Sequence, residues 1–250
     1  MGRYFNNFLL MLQLLTRIPI NKALPCENED FKRGANFFWL IGLLIGMLQY
    51  LLSILLIRFI PVNFAAMAII IFEILITGAL HMDGFGDCCD GFFAFKGKDK
   101  IIEIMKDSQI GTFGCIGIVL NLLIKYQGYV LIFENNYYIF LLIIPMISRL
   151  SMIFLSYIGK PAKKQGSGNL FIDTVKLKEV LVNTIFVLIT GFILGQIVMT
   201  IILFVATIII TLLFYSLCNS KINGITGDCL GANNESVVLV MLVLLSCIYI

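Results

Sequence analysis

VLVNTIFVLITGFILGQIVMTIILFVATIIITLLFYSLC, residues 180–218, is an unbroken apolar run of 39 residues. A helix needs roughly 20 apolar residues to cross a bilayer, so the run holds about two crossings. It predicts two helices turning near Gly195–Gln196. Working outward, similar segments recur at 37–60, 64–82, 112–133 and 137–158, and a shorter one of 14 residues at 237–250. Phe5–Leu15 reads as an interfacial helix, and Arg17 and Pro19 after it are no signal-peptide cleavage site. The composition agrees: 60% apolar, 13% charged and a mean hydropathy of +0.98 in 250 residues. Soluble domains sit near ~45–50% apolar and ~25% charged. Twenty-one Phe exclude a disordered chain, 21 Gly exclude collagen, and seven Cys in so long a chain are no disulfide scaffold. The cysteines read as reduced thiols used as small hydrophobes. The expected architecture is all-α: one membrane-embedded domain, residues 1–250, with about seven transmembrane helices.

Orientation follows from Lys and Arg, which favour the cytoplasmic side. With seven crossings, 15 of the 18 fall in segments 1–36, 83–111, 159–179 and 219–236, and the intervening connections hold none. That predicts a cytoplasmic N-terminus and an outer C-terminus. A net charge of +3 without a basic face gives no reason to expect nucleic acid.

The acids are concentrated. Six of 15 lie between Asp83 and Asp107, in ITGALHMDGFGDCCDGFFAFKGKDKIIEIMKDSQIGTFG. Asp83, Asp87 and Asp90 are spaced i, i+4, i+7 and fall within about 60° on a helix. Carboxylates so close repel unless a cation sits between them. Mg²⁺ suits them, because it binds a few carboxylates plus substrate phosphate oxygens. Glu73, inside a span and about 80° from Asp83 on a continuous helix, extends the predicted metal set to Glu73, Asp83, Asp87 and Asp90. Asp107 or Asp228 would complete it. Asp107 is also a candidate base.

Arg149 lies as far into its span as Glu73 does, so a mutual pair or a polar cavity is expected, and Arg149 could equally hold a phosphate. Lys125 lies deeper, with no assigned partner. His81, the only histidine, points about 160° away from Asp83 and reads as a proton carrier or an interfacial histidine. The loop GKPAKKQGSGNL at 159–170 offers Lys163 and Lys164 to phosphates, or is ordinary positive-inside decoration. In NGITGDCLGANNE, 223–235, Asp228 and Glu235 share a face if helical, and glycines permit close ligand approach. Gly111, Gly114 and Gly117 read as helix packing.

These segments together resemble the cobalamin synthase family, the adenosylcobinamide-GDP ribazoletransferases. The matching stretches are TRIPI, EILITGALHMDGFGDCCDG at 73–91, EIMKDSQIGTFG at 103–114, the basic glycine loop, and ITGDCLGA at 225–232. Cys88 and Cys89 depart from the small residues usual there. The resemblance implies a polytopic enzyme of the bacterial or archaeal inner membrane, acting on its cytoplasmic side in the final steps of vitamin B12 assembly. It implies joining of adenosylcobinamide-GDP to α-ribazole, or its 5′-phosphate, with release of GMP and with Mg²⁺ as the metal. In that frame Asp107 and Arg149 serve catalysis, while Lys163, Lys164, Asp228 and Glu235 serve substrate binding. The bilayer, a second copy of the chain and other corrinoid-pathway enzymes are the expected partners. Two competing classes are a CDP-alcohol phosphotransferase, whose DxxDG core Asp87–Gly91 shares, and an ion-coupled transporter. A transporter would spread polar residues to both faces, whereas here they crowd on one.

Overall fold

The computed structural model describes residues 2–163 and 167–249. Eleven α-helices follow one another among these: α1 Gly2–Leu15, α2 Asn28–Gly34, α3 Phe38–Leu56, α4 Val62–Thr77, α5 Leu80–Phe93, α6 Lys98–Ile104, α7 Thr112–Glu134, α8 Phe140–Ile158, α9 Leu177–Ile193, α10 Ile197–Ile222 and α11 Gly227–Tyr249. No strand occurs among the described residues, which fits the all-α expectation. One isolated bridge pairs Pro161 with Ile225.

Helix α8 is buried along nearly its whole length and forms the axis of the bundle, its polar residues Ser148, Arg149 and Ser151 included. Helix α3 packs along it because Gly42 and Gly46, one turn apart, face the α8 backbone at Pro145 and Leu141 with no room for a side chain. Asn183 of α9 accepts the Trp39 N–H at 2.8 Å and donates to the Ala35 carbonyl at 2.9 Å, pinning α9 to the start of α3. Trp39 stacks flat on Phe186 beside it, ring centroids 4.0 Å apart. Outward faces are apolar and unpartnered: Leu51 and Leu55 on α3, Ile71 and Leu75 on α4, and Val198 and Leu213 on α10 are exposed. That is the surface a helical membrane protein turns to lipid.

Five segments are long and apolar enough to cross a membrane: Asn28–Leu56, Thr112–Glu134, Phe140–Ile158, Ile197–Ile222 and Gly227–Ile248. A sixth crossing results if α4 and α5 count as one bent span, so the count is five or six against about seven expected. Two features lower it. Helix α9 has only 17 residues, and the expected second span is cut short by a break. The chain does turn at Gly195, as expected, between α9 and α10.

That break positions the site. Gly78 and Ala79 both adopt the left-handed conformation, φ +63° and +58°, and α5 leaves α4 at 92°. Glycine takes that conformation without penalty, whereas Ala79 takes it at a cost of about 1 kcal/mol or more. The Ala79 N–H bonds back to the Ile74 carbonyl at 2.9 Å, which satisfies a carbonyl left over at the helix end. The Arg17 N–H donates to the Ile76 carbonyl at 2.6 Å, and the Arg17 side chain lies against Gly78. The TRIPI stretch thereby braces the corner, and α5 runs across the bundle end instead of through it.

Helix α11 starts earlier than the apolar pattern suggests. The stretch 227–236, left open between loop and helix by the sequence, is helical, so Asp228 and Glu235 lie on one helix. Its glycines serve packing: Gly231 meets the His81 backbone, and Gly84 of α5 meets the Asp228 backbone. Close backbone contact between α5 and α11 needs glycine on both helices, and a helix interior tolerates it when packing repays the ~1 kcal/mol cost.

Candidate active site

The acids of α5 point into a crowded corner. Asp87 is half-buried, and its carboxyl is pushed up from 3.8 to about 7, first by burial, then by the charges of Asp83, Asp228 and Asp90. Asp228 arrives from the first turn of α11, where the Thr226 hydroxyl donates to its Oδ2 at 3.2 Å. Asp87 thus feels the charges of three other carboxylates from two helices, and among the described residues Asp83 and Asp87 make no side-chain hydrogen bond or ion pair of their own.

Asp90 is placed differently. Its Oδ2 accepts the Gly111 N–H at 2.7 Å and its Oδ1 accepts the Gly114 N–H at 2.8 Å. It caps the first turn of α7, where a carboxylate is favoured by the unpaired N–H groups and the helix dipole. Gly111 and Gly114 are required there, since a β-carbon on either would collide with the Asp90 carboxylate. The packing role expected for the triplet is therefore observed, and Gly117 rests on Cys89 in the same seam.

Two cavities flank Asp83. One of about 330 Å³ is lined by Asp83, Asp87, Lys106, Asp107 and Ser108 with Met105 and Ile118. The other, about 160 Å³, is mostly apolar and bounded by α1, α3, the 168–171 turn and α11, with His81, Asp83 and Asp228 at its polar edge. Asp107 is exposed and accepts the Gln109 N–H at 3.0 Å. The Pro161–Ile225 bridge carries the basic loop to this end of the bundle. There Lys163 lies beside Lys106, and partial burial together with that neighbouring ammonium group holds Lys163 below the usual lysine range. Lys164, the other predicted anion contact, lies outside the described residues.

Glu73, Glu235, Lys125 and Arg149 lie deeper and line neither cavity. The Lys125 Nζ sits 2.8 Å from Glu73 Oε1 and 2.6 Å from Glu235 Oε2. The Tyr129 hydroxyl donates to Glu73 Oε2 at 3.0 Å, and the amides of Asn121 and Asn234 donate to the two Glu235 oxygens at 3.3 and 3.2 Å. Glu73 therefore pairs with Lys125, and the alternative of a Glu73–Arg149 pair gives way. Helix α7 brings Lys125 between α4 and α11, a neighbour relation that depth along a span does not encode. Arg149 is 1% exposed and donates through Nη1 to the Ser148 hydroxyl at 3.0 Å, while its Nε and Nη2 have no hydrogen-bond partner among the described residues. His81 is buried at the cavity edge with Nε2 unpartnered.

Several members of this interior escaped the sequence reading. Tyr129 and Asn121 lie one turn of α7 on either side of Lys125, a spacing that marks a polar stripe on an apolar helix. Asn233 donates to the hydroxyls of Ser151 at 3.0 Å and Thr211 at 3.2 Å, tying α11 to α8 and α10. The adjacent asparagines before Glu235 were the available signal. Cys88 and Cys229, Sγ atoms 3.9 Å apart, pack beneath the acids as small buried residues.

Among the described residues no three Asp, Glu, His or Cys side chains converge into a ready-made metal site. The donors still suit Mg²⁺ of the kind that takes one or two carboxylates and completes its shell with phosphate oxygens and water. The free carboxylates of Asp83 and Asp87 match that mode, whereas Glu73 and Asp90 already have both oxygens engaged.

A helical membrane protein that gathers carboxylates against two lysines at one end of its bundle has the parts of a phosphoryl-transfer site. The chain belongs to the cobalamin-5-phosphate synthase family, whose model matches residues 7–246. It is 49% identical over 250 residues to the adenosylcobinamide-GDP ribazoletransferase of Clostridium tetani, covering 99% of both chains. The enzymes of the same name from Clostridium kluyveri and Clostridium botulinum (strain Langeland) are 44% and 45% identical, over 98% and 94% of this chain and 98% and 95% of theirs. No solved structure matches the chain. Family membership makes cobalamin synthesis the function of the chain.

Proposed function

We propose that the protein transfers the phosphocobinamide group of adenosylcobinamide-GDP to α-ribazole or its 5′-phosphate and releases GMP. The acceptor hydroxyl oxygen bonds to the phosphorus on the cobinamide side, and the bond from that phosphorus to the GMP oxygen breaks. The electron pair leaves on GMP, and the hydroxyl proton passes to a carboxylate, for which Asp107 is exposed in the larger cavity. The observation that carries the reading is the crowding at Asp87, where burial first and neighbouring carboxylates second push the carboxyl up to about 7 in a cavity that Lys106 also lines. Such a cluster is relieved when a divalent cation and a pyrophosphate enter together. Mg²⁺ held by Asp83 and Asp87 would neutralise developing charge on the transferred group. Lys106 and Lys163 attract the diphosphate, and Asp228 closes the side nearest the acceptor. The basic connections that meet here support an active site on the cytoplasmic side of the cytoplasmic membrane.

Lys125 is tied directly to both Glu73 and Glu235 in the interior, which favours a structural role for these charges, and so an enzyme, over an ion pathway. The test is GMP release from adenosylcobinamide-GDP by membranes containing the protein, with and without α-ribazole 5′-phosphate and Mg²⁺. Release that needs both is expected. Release indifferent to the acceptor would overturn the reading.

A further inference from the structure

Asp83 lines both cavities, and the two are chemically unlike. The smaller is walled by Leu15, Phe38, Met152, Leu170, Phe171 and Leu230, with Phe38 and Phe171 edge to face at 5.3 Å. The larger carries Asp87, Lys106, Asp107 and Ser108, and Lys163 stands beside Lys106. A transfer between two bound molecules needs the reacting atoms within about 3–3.5 Å. The two binding places must therefore share a wall, and that wall is where chemistry occurs.

We propose that the apolar chamber holds the flat heteroaromatic base of the acceptor, that the polar chamber holds the guanosine diphosphate end of the donor, and that the two substrates meet at Asp83. The assignment rests on the function proposed above. A base without charge gains by leaving water for aromatic and aliphatic walls. At about 160 Å³ the apolar chamber has the scale of one base and leaves the ribose outside, towards Asp83. A diphosphate loses solvation in such a place and needs cations instead. The polar chamber offers Lys106 in its lining, and Lys163 from a separate loop stands beside it. Placing the nucleotide in the apolar chamber would set its phosphates against Asp228 and Asp83, with no lysine among the described residues lining that chamber.

The experiment is ligand protection of single cysteines. On a background lacking the native thiols, Leu170→Cys reports the apolar chamber and Ser108→Cys the polar one. In preparations that release GMP from the two substrates, α-ribazole should slow maleimide labelling of Leu170→Cys at least fivefold and leave Ser108→Cys within twofold. GMP should do the reverse. A reversed pattern, equal protection of both positions by both ligands, or no protection at either would each overturn the assignment. A preparation that releases no GMP sinks the parent reading, and the assignment falls with it. As a second measurement, Leu170→Trp should raise KM for α-ribazole at least tenfold and change KM for adenosylcobinamide-GDP less than twofold. An equal rise in both would refute separate chambers.

Discussion

Replacing Lys125 by Met removes the charge that holds three helices together. Its Nζ lies 2.8 Å from Glu73 and 2.6 Å from Glu235, and the side chain is 2% exposed. Two carboxylates would then face each other in the apolar interior with no cation between them. Breaking a buried ion pair from one side costs about 3–5 kcal/mol. For a chain of this length that is a fall in Tm of roughly 6–20 °C, at about 2–4 °C per kcal/mol. Charge balance sharpens the expectation. Glu73, Glu235, Lys125 and Arg149 together are neutral, so Lys125→Met leaves one net negative charge. Adding Glu73→Gln restores neutrality and keeps an acceptor for the Tyr129 hydroxyl. The double variant should therefore be more stable than Lys125→Met alone, with a coupling of about 1–3 kcal/mol. Thermal unfolding of the detergent-purified protein, followed by the fraction remaining monodisperse, measures all four corners of the cycle. Strict additivity would refute the ion-pair account. So would a larger coupling between Glu73 and Arg149 than between Glu73 and Lys125.

Asp90→Asn should cost about 1–2 kcal/mol by weakening the cap on α7, and Mg²⁺ should not restore it. Restoration of stability by the ion would make Asp90 a metal ligand. Asp87 gives a pH dependence. Its carboxyl titrates at about 7 folded against 3.8 ordinarily, so the folded protein holds an extra proton between those values and loses stability as pH rises through them without a cation. Mg²⁺ must displace that proton, so its stabilising effect should grow up to about tenfold in affinity per pH unit below 7 and level off above. Mg²⁺-dependent Tm shifts across that range check this, and a flat profile that Asp87→Asn leaves unchanged would refute it. Cysteine labelling in intact cells should reach positions 98 and 221 only after permeabilisation, and labelling from outside would reverse the proposed orientation.

The fold class was legible because lipid imposes it: 39 apolar residues in a row have few alternatives to helix. The crossing count was less so. Hydropathy averages over Gly78–Ala79 and registers no corner there, although two successive left-handed residues turn the chain by 92°. Likewise the polar run before residue 237 lies outside the apolar pattern that marks a span, yet it folds as the first turns of α11, since its polar side chains find partners on α7, α8 and α10.

At the site, spacing along one helix was informative and depth across helices was not. The i, i+4, i+7 pattern correctly placed three aspartates on one side of α5, because helical geometry fixes that side whatever surrounds it. It could not say that Asp90 would meet the N-terminus of α7 while Asp87 met Asp228, for those contacts depend on which glycines let backbones approach. Equal depth for Glu73 and Arg149 was a weaker guide still. A buried acid takes the nearest cation that can reach it with good geometry, and α7 supplied Lys125 at 2.8 Å. The division that follows is physical. Acids whose oxygens are all engaged, Glu73, Glu235 and Asp90, hold helices in place. Asp83 and Asp87, with none engaged, are held close to other carboxylates only because the helices around them are already tied. The free energy stored in that crowding is available to whatever cation and phosphate enter the cavity beside Asp83.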